Sequence, residues 1–133
     1  MPSVFSQIIN KKIPADIVFE NEDCIAFMDI MPIQKGHVLV VPKLEVDNIF
    51  DLPLNTYTSL FSFARKISIA MKKTFNCKRI GVSVIGFEIP HAHIHLIPIN
   101  HIDDMDFNNK KVIKKHELKL IAKKISKEIE LSA

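Results

Sequence analysis

Hydrophobic and polar positions along this chain change period several times, and each period predicts an element. Between Ser3 and Lys12, the apolar residues Val4, Phe5, Ile8 and Ile9 recur at helical spacing behind a serine suited to cap the first turn, so a short amphipathic helix is expected. Ile13-Pro14-Ala15 ends it. Asp16 to Glu20 and Cys24 to Asp29 read as two short strands, with Asn21-Glu22-Asp23 as the turn between them. Ile30 to Gly36 is a loop, and His37 to Pro42 is an apolar, β-branched strand. Asp51-Leu52-Pro53 has the form of a helix start, an acidic cap with proline in the first turn. Tyr57, Leu60, Phe61, Ala64, Ile67, Met71 and Phe75 then keep helical spacing, which predicts the longest helix, packed across the sheet. Arg79 to Gly86 predicts a strand, Phe87 to Pro90 its exit, and His91 to Ile97 the next strand. After a loop rich in Asn and Asp, Leu118 to Leu131 predicts a closing amphipathic helix. Strands joined by turns, with helices set apart from them, point to an α+β fold rather than a doubly wound parallel sheet.

Three of the six histidines fall in one short run, Pro90-His91-Ala92-His93-Ile94-His95-Leu96-Ile97-Pro98. On a strand, this spacing sends His91, His93 and His95 to one face and Ala92, Ile94 and Leu96 to the other. The two prolines bracket the run, as expected at strand ends. Neighbouring histidines would then stand roughly 6.6 Å apart, so the middle ring is the natural point of chemistry and the outer rings flank it. A His-x-His pair on a strand is also a good zinc half-site, with His37 or His101 able to complete it. Spacing alone leaves catalysis and metal binding both open.

Composition narrows the class without choosing the chemistry. The 133 residues, 47% of them hydrophobic, suit a single domain with one core. The net charge of +3 is mild. Its basic excess sits at Lys110, Lys111, Lys114, Lys115, Lys119, Lys123, Lys124 and Lys127, interleaved with Leu118, Ile121, Ala122 and Ile125. That pattern reads as a solvated helix face rather than a nucleic-acid patch. Cys24 and Cys77 form no CxxC pair and are expected as free buried thiols in a reducing compartment. With no signal-like start and no apolar run of membrane-spanning length, a soluble cytoplasmic protein with no membrane contact is expected.

The histidine run resembles the signature of the histidine triad (HIT) family of nucleotide-binding hydrolases and transferases. Phe27-Met28-Asp29-Ile30-Met31-Pro32 and Gly36-His37-Val38-Leu39-Val40-Val41-Pro42-Lys43 resemble two further family segments in the same order. The resemblance runs from about Val4 to Pro98, so residues 1–98 form the family core of a single domain spanning 1–133. Residues 99–133 add a loop and a lysine-rich helix. It implies an antiparallel sheet of about five strands with one long helix and short N- and C-terminal helices, paired into a homodimer. It also implies a hydrolase acting on a purine nucleotide at its α-phosphate, through a nucleotidyl-histidine intermediate and without cofactor or catalytic metal.

Carried over position by position, the resemblance makes His93 the nucleophile. His95 stands beside the leaving group, and His91 and His37 support the network. A neutral imidazole nitrogen can attack phosphorus, and the histidine pKa keeps much of the ring neutral. Asp29 would accept the ribose hydroxyls. Phe5, Ile8, Ile13, Phe27 and Ile30 match the apolar base slot, although the same residues also read as core. Glu88 and Ile89 take the place of the family's phosphate-holding Gly-Gln-Ser or Gly-Gln-Thr. Glu88 therefore either turns its side chain away, leaving backbone N–H groups to the phosphate, or alters the leaving-group preference. Some members bind a structural zinc through an N-terminal Cys-x-x-Cys, where this chain has Ser3 and Ser6, so that zinc is expected to be absent. Two rivals stand beside this reading: a metal-dependent hydrolase, and a non-catalytic nucleotide-binding interaction module.

Overall fold

The computed structural model describes residues 2–132. The chain forms α1 (Val4–Ile9), β1 (Ile17–Glu20), β2 (Cys24–Met28), β3 (Val38–Pro42), α2 (Leu54–Thr74), β4 (Arg79–Ser83), β5 (Ile94–Ile99) and α3 (Lys115–Leu131), with short 3-10 turns at Ile49–Asp51 and Ile102–Met105. The five strands form one antiparallel sheet in the order β1-β2-β3-β5-β4. The fold is α+β, as the element pattern predicts.

Both faces of the sheet are covered, which is why β2 and β3 are buried at every position. Cys24, Ala26 and Met28 of β2, Val38 and Val40 of β3, and Ile94 and Leu96 of β5 share one core with α2 and α3. Ile25, Phe27, Leu39 and Val41 point the other way, where Phe5 and Ile8 of α1 cover them. His95 pairs with Leu39 across the ladder and lies on this second side. The Ser3 side chain caps α1 by accepting the Ser6 N–H. The exposed lysines Lys119, Lys123, Lys124 and Lys127 lie along the outer side of α3, whose other face buries Leu118, Ile121, Ala122, Ile125 and Ile129.

Several boundaries differ from those predicted. The long helix starts after Pro53 without a side-chain cap, because Asp51 ends a 3-10 turn capped by Asn48 instead. α3 has 17 residues rather than being short. β4 stops at Ser83, three residues before Gly86. The largest correction concerns the histidine run, of whose three histidines only His95 belongs to a strand. Ahead of Ile94 the chain leaves the sheet: the Ala92 N–H goes to the Val46 carbonyl, and the His91 ring takes the Pro42 carbonyl at the end of β3. Pro98 lies within β5, not after it. Its missing N–H costs no ladder bond to β3, whose pairing with β5 stops at Leu96.

Candidate active site

The site lies where β2 ends, β3 begins and β5 begins. Asp29 follows β2 and His37 precedes β3, and the Asp29 N–H donates to the His37 carbonyl at 3.0 Å, so the 30–36 loop returns to its own start. Gly36 makes this return possible: its φ is +95°, and a Cβ there would run into the Phe75 ring at the end of α2. His93, His95, His37 and Asp29 all line one cavity of about 210 Å³. The His93 and His95 ring centroids are 4.9 Å apart, closer than flat-strand spacing, because His93 precedes the strand.

Hydrogen bonding decides where each ring carries its proton. Nδ1 of His93 lies 2.7 Å from the His91 carbonyl and must donate to it, which leaves Nε2 with a free lone pair. Nδ1 of His37 accepts the Ile33 N–H at 3.2 Å, so Nε2 of His37 carries the proton and donates to Nδ1 of His95 at 2.9 Å. Nε2 of His95 therefore carries a proton. The cavity thus holds an imidazole with an available lone pair beside one presenting an N–H.

Burial pushes His95 down to about 3 and His37 down to about 4, with further lowering from neighbouring histidines. Burial also lowers His93 and His91. All four rings are neutral at neutral pH, as a nucleophilic imidazole requires.

His91 does not face the cavity. It is completely buried, donates from Nε2 to the Pro42 carbonyl at 2.8 Å, and accepts from the Ser3 hydroxyl at Nδ1, 2.7 Å away. Glu45 closes this network from outside by accepting the Ser3 N–H at 2.7 Å and the Ser6 hydroxyl at 2.6 Å. Ser3 and Ser6 thus spend their polar atoms on each other, on Glu45 and on His91. They offer no thiolate and do not fit a zinc ion. Polar atoms of Asp29, His37 and His95 lie within 4.8 Å of one another. His37 nevertheless has no lone pair for a metal there, since the Ile33 N–H takes the one at Nδ1. His101 caps the 3-10 turn at Ile102–Met105 and does not line this cavity.

The expected base-slot residues divide. Phe5, Ile8 and Phe27 are buried in the core beneath the site, with the Phe5 ring edge-on to His93 at 5.0 Å. Ile13 and Ile89 pack, half-buried, against the same cluster. Ile30 is 73% exposed and lines a separate groove of about 640 Å³ with Pro14, Ala15, Leu118 and Lys119. Asp29 accepts the Met31 N–H at one carboxylate oxygen, and Met31 and Ile33 line the same cavity beside it. Glu88 lines the cavity together with Lys110, to whose ammonium its carboxylate is paired at 3.0 Å.

Ile85, Gly86 and Phe87 after β4 also line the cavity, as do Phe107, Asn108 and Lys110, and none of these was singled out from the sequence as a site residue. The last three lie in one connection. They belong to the strap between β5 and α3. Its Lys111 N–H is bonded to the Pro32 carbonyl, and its Phe107 ring stands edge-on to His95 at 4.9 Å and to His37 at 6.2 Å. A loop without periodicity carries no signal that it will fold back over a site. A lone aromatic in a polar stretch, Asp106-Phe107-Asn108, was the one available hint.

Comparison with known proteins came out as follows. The HIT domain profile matches residues 10–102. The chain is 33% identical over 96 residues to adenosine 5'-monophosphoramidase of Saccharomyces cerevisiae, a stretch that is 71% of this chain and 61% of that protein. It is 30% identical over 104 residues to the asymmetrical bis(5'-nucleosyl)-tetraphosphatase of Schizosaccharomyces pombe, covering 73% of this chain and 57% of that protein. The chain therefore spans about three fifths of the length of either relative. Among solved structures, a Hit-like protein of Bartonella henselae involved in cell-cycle regulation superposes with a TM-score of 0.84 at 33% identity, covering 95% of each chain.

Proposed function

The chain belongs to the HIT domain family, and from that premise we propose that it hydrolyses a purine nucleotide at the α-phosphate through a nucleotidyl-His93 intermediate. One observation carries the reading: the His91 carbonyl fixes the proton of His93 on Nδ1 and leaves Nε2 free in a cavity that His95 also lines. In the first step, Nε2 of His93 forms a bond to the α-phosphorus as the bond to the leaving group breaks. In the second, water attacks phosphorus, the P–N bond breaks, and His93 is restored. His95 gives a proton to the departing atom and later takes one from the water. An anionic phosphate in the cavity opposes the effect of burial and favours the charged ring, in which Nδ1 of His95 carries a proton in place of accepting from His37, so that loss of the Nε2 proton leaves a neutral imidazole. Asp29, with one carboxylate oxygen left over after bonding Met31, takes the ribose hydroxyls. The base lies in the groove that begins at exposed Ile30.

The chain acts as a homodimer in this reading. In support, β4 is an edge strand carrying exposed Val82, and exposed Val84 and Ile85 follow it. Two free cysteines support a reducing, cytoplasmic setting. Among the described residues no helix is long and apolar enough to cross a membrane.

The decisive experiment uses chelated protein with adenosine phosphoramidate and diadenosine polyphosphates side by side, with label at the α-phosphate. Turnover should persist without metal, and quenched protein should carry label on His93 that is lost in acid and retained in base. Turnover by a His93→Ala variant above a few per cent of wild type would mean that water attacks directly. Turnover abolished by chelation would restore the metal-dependent rival, and none at all would leave the non-catalytic one.

A further inference from the structure

Among the described residues lining the cavity, Lys110 is the one lysine or arginine. It sits on the strap, held between Phe107, which packs on His95, and Lys111, whose N–H is tied to the Pro32 carbonyl at 2.6 Å. Its ammonium lies 3.0 Å from Glu88, which comes from the opposite side, between β4 and β5. The strap reaches the cavity on the His95 side. In a displacement by His93 the leaving group departs opposite the nucleophile, toward its proton donor. Lys110 therefore stands where a leaving group would extend.

The Glu88–Lys110 pair suits a ligand-exchanged contact better than a structural one. Its side chains are 76% and 37% exposed, and such pairs are weak and screened by salt. A chain of phosphates offers the ammonium several anionic oxygens and can displace a single carboxylate. An amine leaving group offers none. Glu88 left unpaired would repel an entering phosphate chain, so removing Lys110 both deletes a cation and frees an anion. Resting on the hydrolase reading above, we propose that Lys110 binds the leaving-group phosphates after exchange from Glu88. The pair thereby favours nucleotides joined by an anhydride to further phosphates over nucleotides carrying an amine on the α-phosphate.

The test compares wild type, K110A, E88Q and the double variant on diadenosine tetraphosphate and on adenosine phosphoramidate. In parallel, inorganic tripolyphosphate is titrated calorimetrically into each protein. K110A should lose about 10- to 100-fold more kcat/KM on the tetraphosphate than on the phosphoramidate, and should weaken tripolyphosphate binding by a similar factor. E88Q should improve both tetraphosphate turnover and tripolyphosphate binding by about 2- to 10-fold, since Lys110 is then free at the outset. Equal losses on the two substrates in K110A, or unchanged tripolyphosphate binding, overturn the assignment. If wild type turns over neither nucleotide, the hydrolase reading fails separately. The titration still decides Lys110: weaker binding in K110A supports its role as a phosphate ligand, and equal binding removes it.

Discussion

His91 and His95 stand two residues to either side of His93 and have the same side chain, yet the fold puts them to opposite uses. His91 is sealed under α1, with both ring nitrogens engaged, one by the Pro42 carbonyl and the other by the Ser3 hydroxyl. His95 is the second residue of strand β5, with one nitrogen on His37 and the other left for the cavity. The first region is a clasp: Glu45, Ser3 and His91 tie the N-terminus to the backbone carbonyl that orients His93. The second is a site, with a cavity, a carboxylate and a strap across it. A buried ring with two partners positions, whereas a buried ring with one partner can react.

This contrast can be broken by substitution, and the largest effect is expected on the reactive side. His95→Asn should lower turnover about 10²- to 10⁴-fold while leaving nucleotide binding and the unfolding midpoint nearly unchanged. Rapid-quench kinetics should show label accumulating on the protein. A loss of stability comparable to the loss of rate would erase the distinction between the two histidines.

His91→Ala should do the reverse in proportion. It deletes a fully buried ring and strands the Ser3 hydroxyl and the Pro42 carbonyl, which should cost about 2–4 kcal/mol in urea unfolding. Residual turnover per folded molecule should exceed that of His95→Asn. Turnover lost with stability intact would make His91 a participant in the chemistry.

Ser3→Ala sharpens the same point at smaller scale. It leaves Nδ1 of His91 without its donor and the Ser6 N–H without its cap, for about 1–3 kcal/mol. Ser3→Thr, keeping a hydroxyl, should recover part of this. An unchanged urea midpoint in Ser3→Ala would show that the clasp carries no stability.

The mildest probe is pH. Because burial lowers His37 and His95 below their ordinary values, the unfolded chain binds protons that the folded one refuses. Their stabilising contribution is complete above about pH 6.5, the unfolded value. It falls as the solution is acidified toward the folded values of about 4 and 3, by at most about 1.4 kcal/mol per pH unit for each ring. Unfolding midpoints should therefore drop between pH 7 and pH 5. In His95→Asn the slope should be shallower, and an identical slope would mean that His95 titrates normally.

What the sequence determined by itself is local and periodic. Continuous apolar runs along Cys24–Met28 and Val38–Pro42, helical spacing from Tyr57 to Phe75, and the turn residues between strands were enough for an α+β fold and most element positions. The spacing of three histidines pointed to a site, and the family resemblance of the segments around Asp29 and His37 added two residues to it; of these five, Asp29, His37, His93 and His95 meet at the cavity and His91 does not. Only the tertiary structure decided the rest, because it depends on partners distant in the chain. Residues 91–93 leave the sheet since Val46 and Pro42 compete for their hydrogen bonds, and no periodicity encodes that competition. The protons of His37 and His93 are placed by near neighbours, the Ile33 N–H and the His91 carbonyl, but only in the loop conformations that the fold imposes, whereas those of His95 and His91 are placed by His37 and Pro42, distant in the chain. Phe107 and Lys110 reach the site only because the strap folds back onto Pro32 and Glu88. Side-chain type and spacing are written along the chain, but a ring's tautomer and surroundings belong to the assembled fold.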